Sequence, residues 1–147
     1  MNNNYVKPHQ IISKEVGEKD LPRVIVDAEI MLKLCSTPVG LYTGGFAVAH
    51  QQITNKKPLR FFVMNTGDII INPKIVQHTA TTVDSQEGCL SFPDNKMIIV
   101  QRWNKCKVEY QSLENNSLSD IIIKDISGRE SFVFQHEIGH FDCNYIY

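Results

Sequence analysis

The feature that most limits what this chain can become lies near its end, at Gln135-His136-Glu137-Ile138-Gly139-His140. Read as α-helix, it sets His136 and His140 one turn apart on a single face, where two imidazole nitrogens can reach one metal ion. Glu137 beside them is better suited to moving a proton for a reacting water than to ligation. Upstream, Ser127 followed by Glu130 has capping-box spacing and predicts where the helix starts. Phe132, Val133 and Ile138 then supply apolar positions among the polar ones.

A lone HExxH also arises by chance, and a histidine among apolar neighbours is often a core residue with its hydrogen bonds satisfied. The metal reading therefore needs a third ligand. HExxH peptidases usually take one from well downstream, but only seven residues follow His140. Cys143 is within helical reach yet would crowd one side of the site. An upstream residue is the better expectation.

A chain of 147 residues is long enough for one domain with its own core, expected over 1–147 with a polar leader over 1–19. The formal net charge of −1 gives no global field for nucleic acid, and no direct nucleic-acid partner is expected. No basic stretch followed by an apolar run opens the chain, and none of its apolar runs is long enough to span a bilayer. No membrane partner is expected. Cys35, Cys89, Cys106 and Cys143 are scattered without a disulfide-like pattern, which favours a reducing compartment, with cytoplasm as the default.

Taken in order, Asp20-Leu21-Pro22 marks a helix start, with Asp20 as N-cap and Pro22 in the first turn. Val24, Ile25, Ala28, Met31, Leu32 and Cys35 follow as one apolar face, and Ser36-Thr37-Pro38 closes the helix. Gly44 to Gln52 is a run of small residues that allows close backbone approach. It lacks the Lys and Ser/Thr of a phosphate-cradling loop, and His50 within it reads as structural more readily than as a ligand. Leu59–Met64 and Ile69–Ile71 flank the turn Asn65-Thr66-Gly67-Asp68 as a hairpin. Asn72-Pro73 interrupts the second strand, and extended runs recur at 74–76, 97–100, 106–110 and 121–123. Strands bracketed by two helices indicate an α+β fold, with antiparallel β-sheets packed around the C-terminal HExxH helix and one further helix near the N-terminus.

Glu87-Gly88-Cys89-Leu90-Ser91 lies between extended segments. Its glycine leaves the sulfur accessible, and its polar, turn-like neighbours argue against simple core packing. Cys106 alternates with Val108 and Tyr110 and reads as core. At this point the chain resembles the peptide deformylases. Three motifs stand in that family's order: Glu87-Gly88-Cys89-Leu90-Ser91 in full, Gln135 to His140 with one departure, and Gly45-Phe46-Ala47-Val48-Ala49-His50-Gln51-Gln52 more loosely. The resemblance runs from about residue 20 to His140. It is to a short member, like those phages encode, without the C-terminal extension of many bacterial ones.

The resemblance implies that Cys89, His136 and His140 hold one divalent metal ion, Fe2+ or Zn2+, with Ni2+ or Co2+ as substitutes. Three protein ligands with an open position describe a catalytic site, whereas a structural zinc site is closed. It implies hydrolysis of the N-terminal formyl group of formylmethionyl peptides or ribosome-associated nascent chains, in the cytoplasm of a bacterium or a phage-infected host. Glu137 would be the proton carrier, with the Gln52 side chain and the Leu90 backbone amide as donors to the formyl oxygen. Substrate backbone would run beside Phe46, Ala47 and Gly88, with Phe46, Leu90, Phe132 and Val133 forming the methionine pocket. The rival reading is a catalytically weak deformylase-like module that binds metal or a partner. Ala47 and His50 depart from the family's glycine and alanine, and are expected to reshape the groove. Gly139 replaces an aspartate, which is expected to weaken the helix by about 1 kcal/mol relative to alanine and to alter the usual partner of Arg102.

Overall fold

The computed structural model describes residues 5–147; the first four residues of the expected leader lie outside the described residues. Helix α1 spans Leu21–Cys35, with Pro22 in its first turn and Asp20 at the N-cap. The Asp20 carboxylate turns backwards and accepts the Gly17 N–H at 2.8 Å instead of capping the helix. At the other end the Thr37 hydroxyl donates to the Lys33 carbonyl at 2.6 Å, drawing off an orphan acceptor of the last turn. The buried face is Leu21, Val24, Ala28, Met31, Leu34 and Cys35. Ile25, expected on it, is exposed, and Leu34 is buried instead.

Nine strands follow: β1 (Ala47–Ala49), β2 (Phe61–Met64), β3 (Ile69–His78), β4 (Thr82–Glu87), β5 (Ile98–Trp103), β6 (Lys105–Gln111), β7 (Leu113–Glu114), β8 (Ser117–Leu118) and β9 (Ile122–Ser127). Helix α2 spans Arg129–Phe141. Five strands form one antiparallel sheet in the order β1-β2-β3-β6-β9, while β4-β5 and β7-β8 are separate hairpins. The α+β expectation holds. Among the described residues no helix is long and apolar enough to cross a membrane.

The sheet is covered on both faces, and β2 shows why its sequence is apolar without alternation. Phe61 and Val63 face the cluster built on Val24, Ala28 and Met31 of α1. Phe62 faces the opposite cluster, with Phe134 and Phe141 of α2 and Ile70, Val108 and Ile126 of the sheet. A strand buried on both sides reads as a continuous hydrophobic run. In β1 the same alternation puts Val48 towards α1 and the small Ala47 and Ala49 towards α2.

Two local expectations are corrected, and one strand is added. The capping box does not form, because Ser127 is still paired with Lys105 in the sheet. Gly128 takes the N-cap with φ of 59°, and Glu130 pairs with Lys124 at 2.7 Å. Asn72-Pro73 does not break the strand: β3 bulges there, with a register shift between Ile71 and Lys74 and Asn72 at φ of 52°. Residues 82–87, unassigned from sequence, form β4.

Phe62 is fully buried and meets Phe134 edge-on, with ring centroids 5.1 Å apart. Truncating a buried phenylalanine removes its transfer free energy and leaves a cavity, so Phe62→Ala should cost about 3–5 kcal/mol. Urea unfolding followed by circular dichroism measures this, and a loss under 1 kcal/mol would mean that the two layers do not close on this ring.

Candidate metal centre

Helix α2 presents its polar side chains inward. Gln135 docks it to the end of β5: Oε1 accepts the Trp103 N–H at 2.9 Å, and Nε2 donates to the Trp103 carbonyl at 2.8 Å. One helical step on, His136 and His140 stand with ring centroids 5.2 Å apart. Cys89, buried on the loop after β4, brings its sulfur to 3.3 Å from His140 Nε2. Ligand atoms of Cys89, His136 and His140 all lie within 4.8 Å of one another. Sulfur and two imidazole nitrogens at that separation are a donor set that can hold a single divalent cation.

The loop reaches this position through two tight approaches. A side chain at Gly88 would run into the Tyr42 ring, whose Cε1 lies 2.6 Å from where a Cβ would sit. At Gly45 it would meet Leu90 Cδ1 at 2.7 Å. Both glycines lie within motifs picked out from sequence.

Each imidazole turns its other nitrogen to a fixed partner. His136 Nδ1 lies 2.8 Å from Glu87 Oε1, and Arg102 grips the same carboxylate with two bonds of 2.7 and 2.8 Å. Ser85 donates to Glu87 Oε2 at 2.8 Å. Burial alone would raise the Glu87 pKa, but the bonds from Arg102, His136 and Ser85 outweigh it and bring it down to about 2. His136 is pulled the other way. Its burial favours the neutral ring, yet the neighbouring Cys89 sulfur and Glu87 carboxylate raise it to about 10. Burial holds His140 well below the ordinary histidine value, and the charge on His136 adds to this. A cation among these donors would compete with the proton on His136.

Glu137 is buried, and its Oε2 has no hydrogen-bond partner among the described residues. Burial pushes its pKa up to about 7. An uncompensated buried carboxylate oxygen is costly unless a reacting partner visits it. Gln52 sits across the site on a single 3-10 turn (His50–Gln52). Its Oε1 accepts the Ala49 N–H at 2.8 Å, which aims Nε2 at Ser91 Oγ (2.9 Å) and towards Cys89 Sγ (3.9 Å).

These groups line one cavity of about 630 Å³. Phe46, Ala47, Gly88, Leu90, Phe132 and Val133 all border it, together with Gln52, Cys89, His136 and Glu137. Every residue singled out from sequence for the site is therefore at the cavity or, for His140, bonded to Cys89 behind it. His50 is not part of the groove. It is fully buried on the far side, with Nε2 at 2.7 Å from Asp27 and Nδ1 accepting the Leu59 N–H at 2.9 Å. Cys35, Cys106 and Cys143 are buried away from the donors and bond instead to the Gly45 carbonyl, the Ser131 hydroxyl and the Ile11 carbonyl.

Two expectations about site partners change. Arg102 keeps a carboxylate partner, Glu87, which the glycine at 139 does not touch. Glu87 itself was read only as a polar turn neighbour. Treating 82–87 as a strand would have put Ser85 and Glu87 on one buried face but would not have found the pair itself, because Arg102 stands opposite Val83 and Glu87 opposite Ile98, further apart than cross-strand neighbours. Gln51 and Tyr145 were also missed, and no local signal links residues so far apart in sequence.

A sheet closed by the HExxH helix, with one sulfur and two imidazoles beside a buried carboxylate and a cavity of about 630 Å³, is a site able to hold one metal ion. The chain belongs to the polypeptide deformylase family, whose sequence model matches residues 13–147. It is 37% identical over 84 residues to the peptide deformylase of Thermotoga maritima, covering 55% of this chain and 48% of that protein. The chain thus spans about half the length of the curated relatives it matches. The crystal structure of peptide deformylase from Thermotoga maritima superposes with a TM-score of 0.76 at 28% identity, over 93% of this chain and 86% of that one. A PDF from the Vibrio parahaemolyticus bacteriophage VP16T, solved in complex with actinonin, gives 0.75 at 27% identity, over 97% of this chain and 98% of that one.

The Glu87 shift carries a sign that can be checked. Above its ordinary value of 4.5 Glu87 is ionised in both folded and unfolded chains, and its stabilisation is fully present. As pH falls, the unfolded chain takes up the proton first, and the contribution drains away until the folded group follows near pH 2. The amount at stake is on the order of 3 kcal/mol. Glu87→Gln should flatten this part of the acid dependence in urea titrations between about pH 5 and pH 2. Equal slopes for both proteins would remove the Arg102–Glu87–His136 chain from the account.

Proposed function

We propose that this chain hydrolyses the N-terminal formyl group of formylmethionyl peptides, with one divalent cation held by Cys89, His136 and His140. The observation that carries the reading is the buried, unpartnered carboxylate oxygen of Glu137 beside the three donors and facing a peptide-sized cavity. A structural metal site needs neither that carboxylate nor the Gln52 amide opposite. Cys and His donors suit ferrous iron and zinc alike. When bound, the cation would supply a Lewis acid for the formyl oxygen and lower the pKa of the attacking water.

The chain's own groups do the rest. Glu137, raised by burial to about 7, takes the proton of the attacking water near neutral pH and delivers it to the departing amine. Gln52 Nε2, already oriented by its bond from Ala49, donates to the formyl oxygen as charge grows there, and the Leu90 amide adds a second donor. The peptide backbone lies along Ala47 and Gly88, and the methionine side chain enters the apolar part of the cavity between Phe46, Leu90, Phe132 and Val133. Glu87 and Arg102 hold His136 in place from behind, as outer partners of metal-ligating histidines commonly do.

Turnover of formyl-Met-Ala-Ser tests this with protein purified anaerobically and loaded with ferrous iron or with zinc. Metal-loaded wild type should release formate, and Glu137→Ala should be slower by about 10²–10⁴-fold with its metal content unchanged. Removal of the metal by a chelator should abolish activity, and actinonin should compete with the peptide. If loaded wild type is as inert as Glu137→Ala, the deformylase reading fails.

A further inference from the structure

The second nitrogen of His140 is not left to solvent. His140 Nδ1 lies 3.3 Å from Gln51 Oε1. Gln51 is buried, and its Nε2 donates to the Tyr145 hydroxyl. That hydroxyl donates in turn to the His9 carbonyl and accepts the His9 N–H at 3.1 Å. A tyrosine hydroxyl has one proton. With that proton committed to His9, the oxygen can only accept from Gln51, so the Gln51 amide nitrogen must point at Tyr145 and its oxygen at His140. An amide oxygen only accepts, so the proton on the neutral ring belongs on Nδ1, leaving the Nε2 lone pair towards Cys89.

The N-terminal segment is locked by the same logic. His9 Nε2 lies 3.0 and 3.1 Å from the Gln51 and Thr54 carbonyls, two acceptors that require Nε2 to carry a proton. Its Nδ1 accepts the Ile11 N–H at 3.2 Å.

We propose that Gln51, oriented by Tyr145 and the His9 backbone, is a positioning residue that fixes His140 in its metal-binding tautomer. The inference rests on the metal assignment made above. The chain segments before α1 and after α2 thereby become part of the metal site without touching the cation. Outer partners of this kind are typically worth 10–100-fold in metal affinity.

The test is zinc affinity measured by competition with a chromogenic chelator at pH 7, read beside the tautomer of His140 in ¹⁵N spectra of the metal-free protein. Wild type should bind one zinc and show His140 protonated on Nδ1. Gln51→Leu should bind zinc about 10–100-fold more weakly. Tyr145→Phe should give a smaller loss with a mixture of tautomers, and Gln51→Glu, which keeps the acceptor for Nδ1 but has no donor for Tyr145, should bind zinc more tightly than Gln51→Leu and more weakly than wild type. Zinc affinities of Tyr145→Phe and Gln51→Leu within twofold of wild type, or Nε2 protonation in wild type, would overturn the proposal. If Gln51→Leu does not fold, Tyr145→Phe and the wild-type tautomer decide it alone. Failure of wild type to bind zinc at all would overturn the metal assignment, and this inference with it.

Discussion

Helix α2 carries charged and polar groups into the interior on the same side as Phe134 and Phe141, and the need to satisfy those groups organises the molecule around it. Ser131, Gln135, Glu137 and His140 are all buried. A buried polar group left unmatched costs about 1–3 kcal/mol, so such a helix can dock only where partners wait. The partners come from separate parts of the chain. Trp103 at the end of β5 takes both Ser131 and Gln135. Glu87 at the end of β4 takes His136, and Gln51 on the 3-10 turn takes His140. The separate hairpin β4-β5 meets the helix through these polar bonds and through Trp103, which packs against the cluster that holds Phe134 and Phe141. Of the helix's buried groups Glu137 keeps an oxygen with no partner among the described residues, and it is the group proposed above to carry the proton.

The electrostatics follow from the same docking. Arg102 fixes Glu87 as an anion, the anion favours charge on His136, and charge on His136 disfavours it on His140. Two imidazoles one helical turn apart are thus made unequal by what stands behind each. The outer neighbour of His136 is a carboxylate locked by a guanidinium, whereas that of His140 is a neutral amide. Glu137 feels both environments: burial raises it, and His136 beside it restrains the rise.

Much of this was legible in the sequence, and the gaps have physical causes. The spacing of His136 and His140 gave the helix and its chemical face, because helical period is local information. The β2 run Phe61-Phe62-Val63 was legible as a hairpin strand, and its burial on both faces emerges only once α1 and α2 are packed on the sheet. β4 was missed because Thr82-Val83-Asp84-Ser85-Gln86-Glu87 lacks apolar alternation: its inward positions, Ser85 and Glu87, face the polar site and not the core. The capping box at Ser127 failed because a sheet register extending to that residue outcompeted a local cap. Cys89 could be proposed as third ligand only through its motif, since nothing in local patterning says which loop folds over a distant helix.

Gly139 shows how a departure in one motif connects to parts of the chain that sequence patterning could not join. Its loss of side chain lies where the C-terminal segment folds back on the helix end. Asn144 N–H donates to the Gly139 carbonyl at 2.9 Å, Cys143 turns through φ of 59°, and a Cβ at 139 would meet the Asn144 carbonyl oxygen at 3.0 Å. That contact is tight, so a side chain at 139 would require the Asn144 carbonyl to give by a few tenths of an ångström. One residue beyond Asn144, Tyr145 packs edge-on against His140, with ring centroids 5.5 Å apart, and bonds Gln51. The helix propensity given up at Gly139, about 1 kcal/mol relative to alanine, is therefore set against a close return of the chain that places a tyrosine behind one of the candidate ligands. Read from the helix alone the glycine is a weakness; read with the segment that follows, it leaves room for the close return of the chain behind His140.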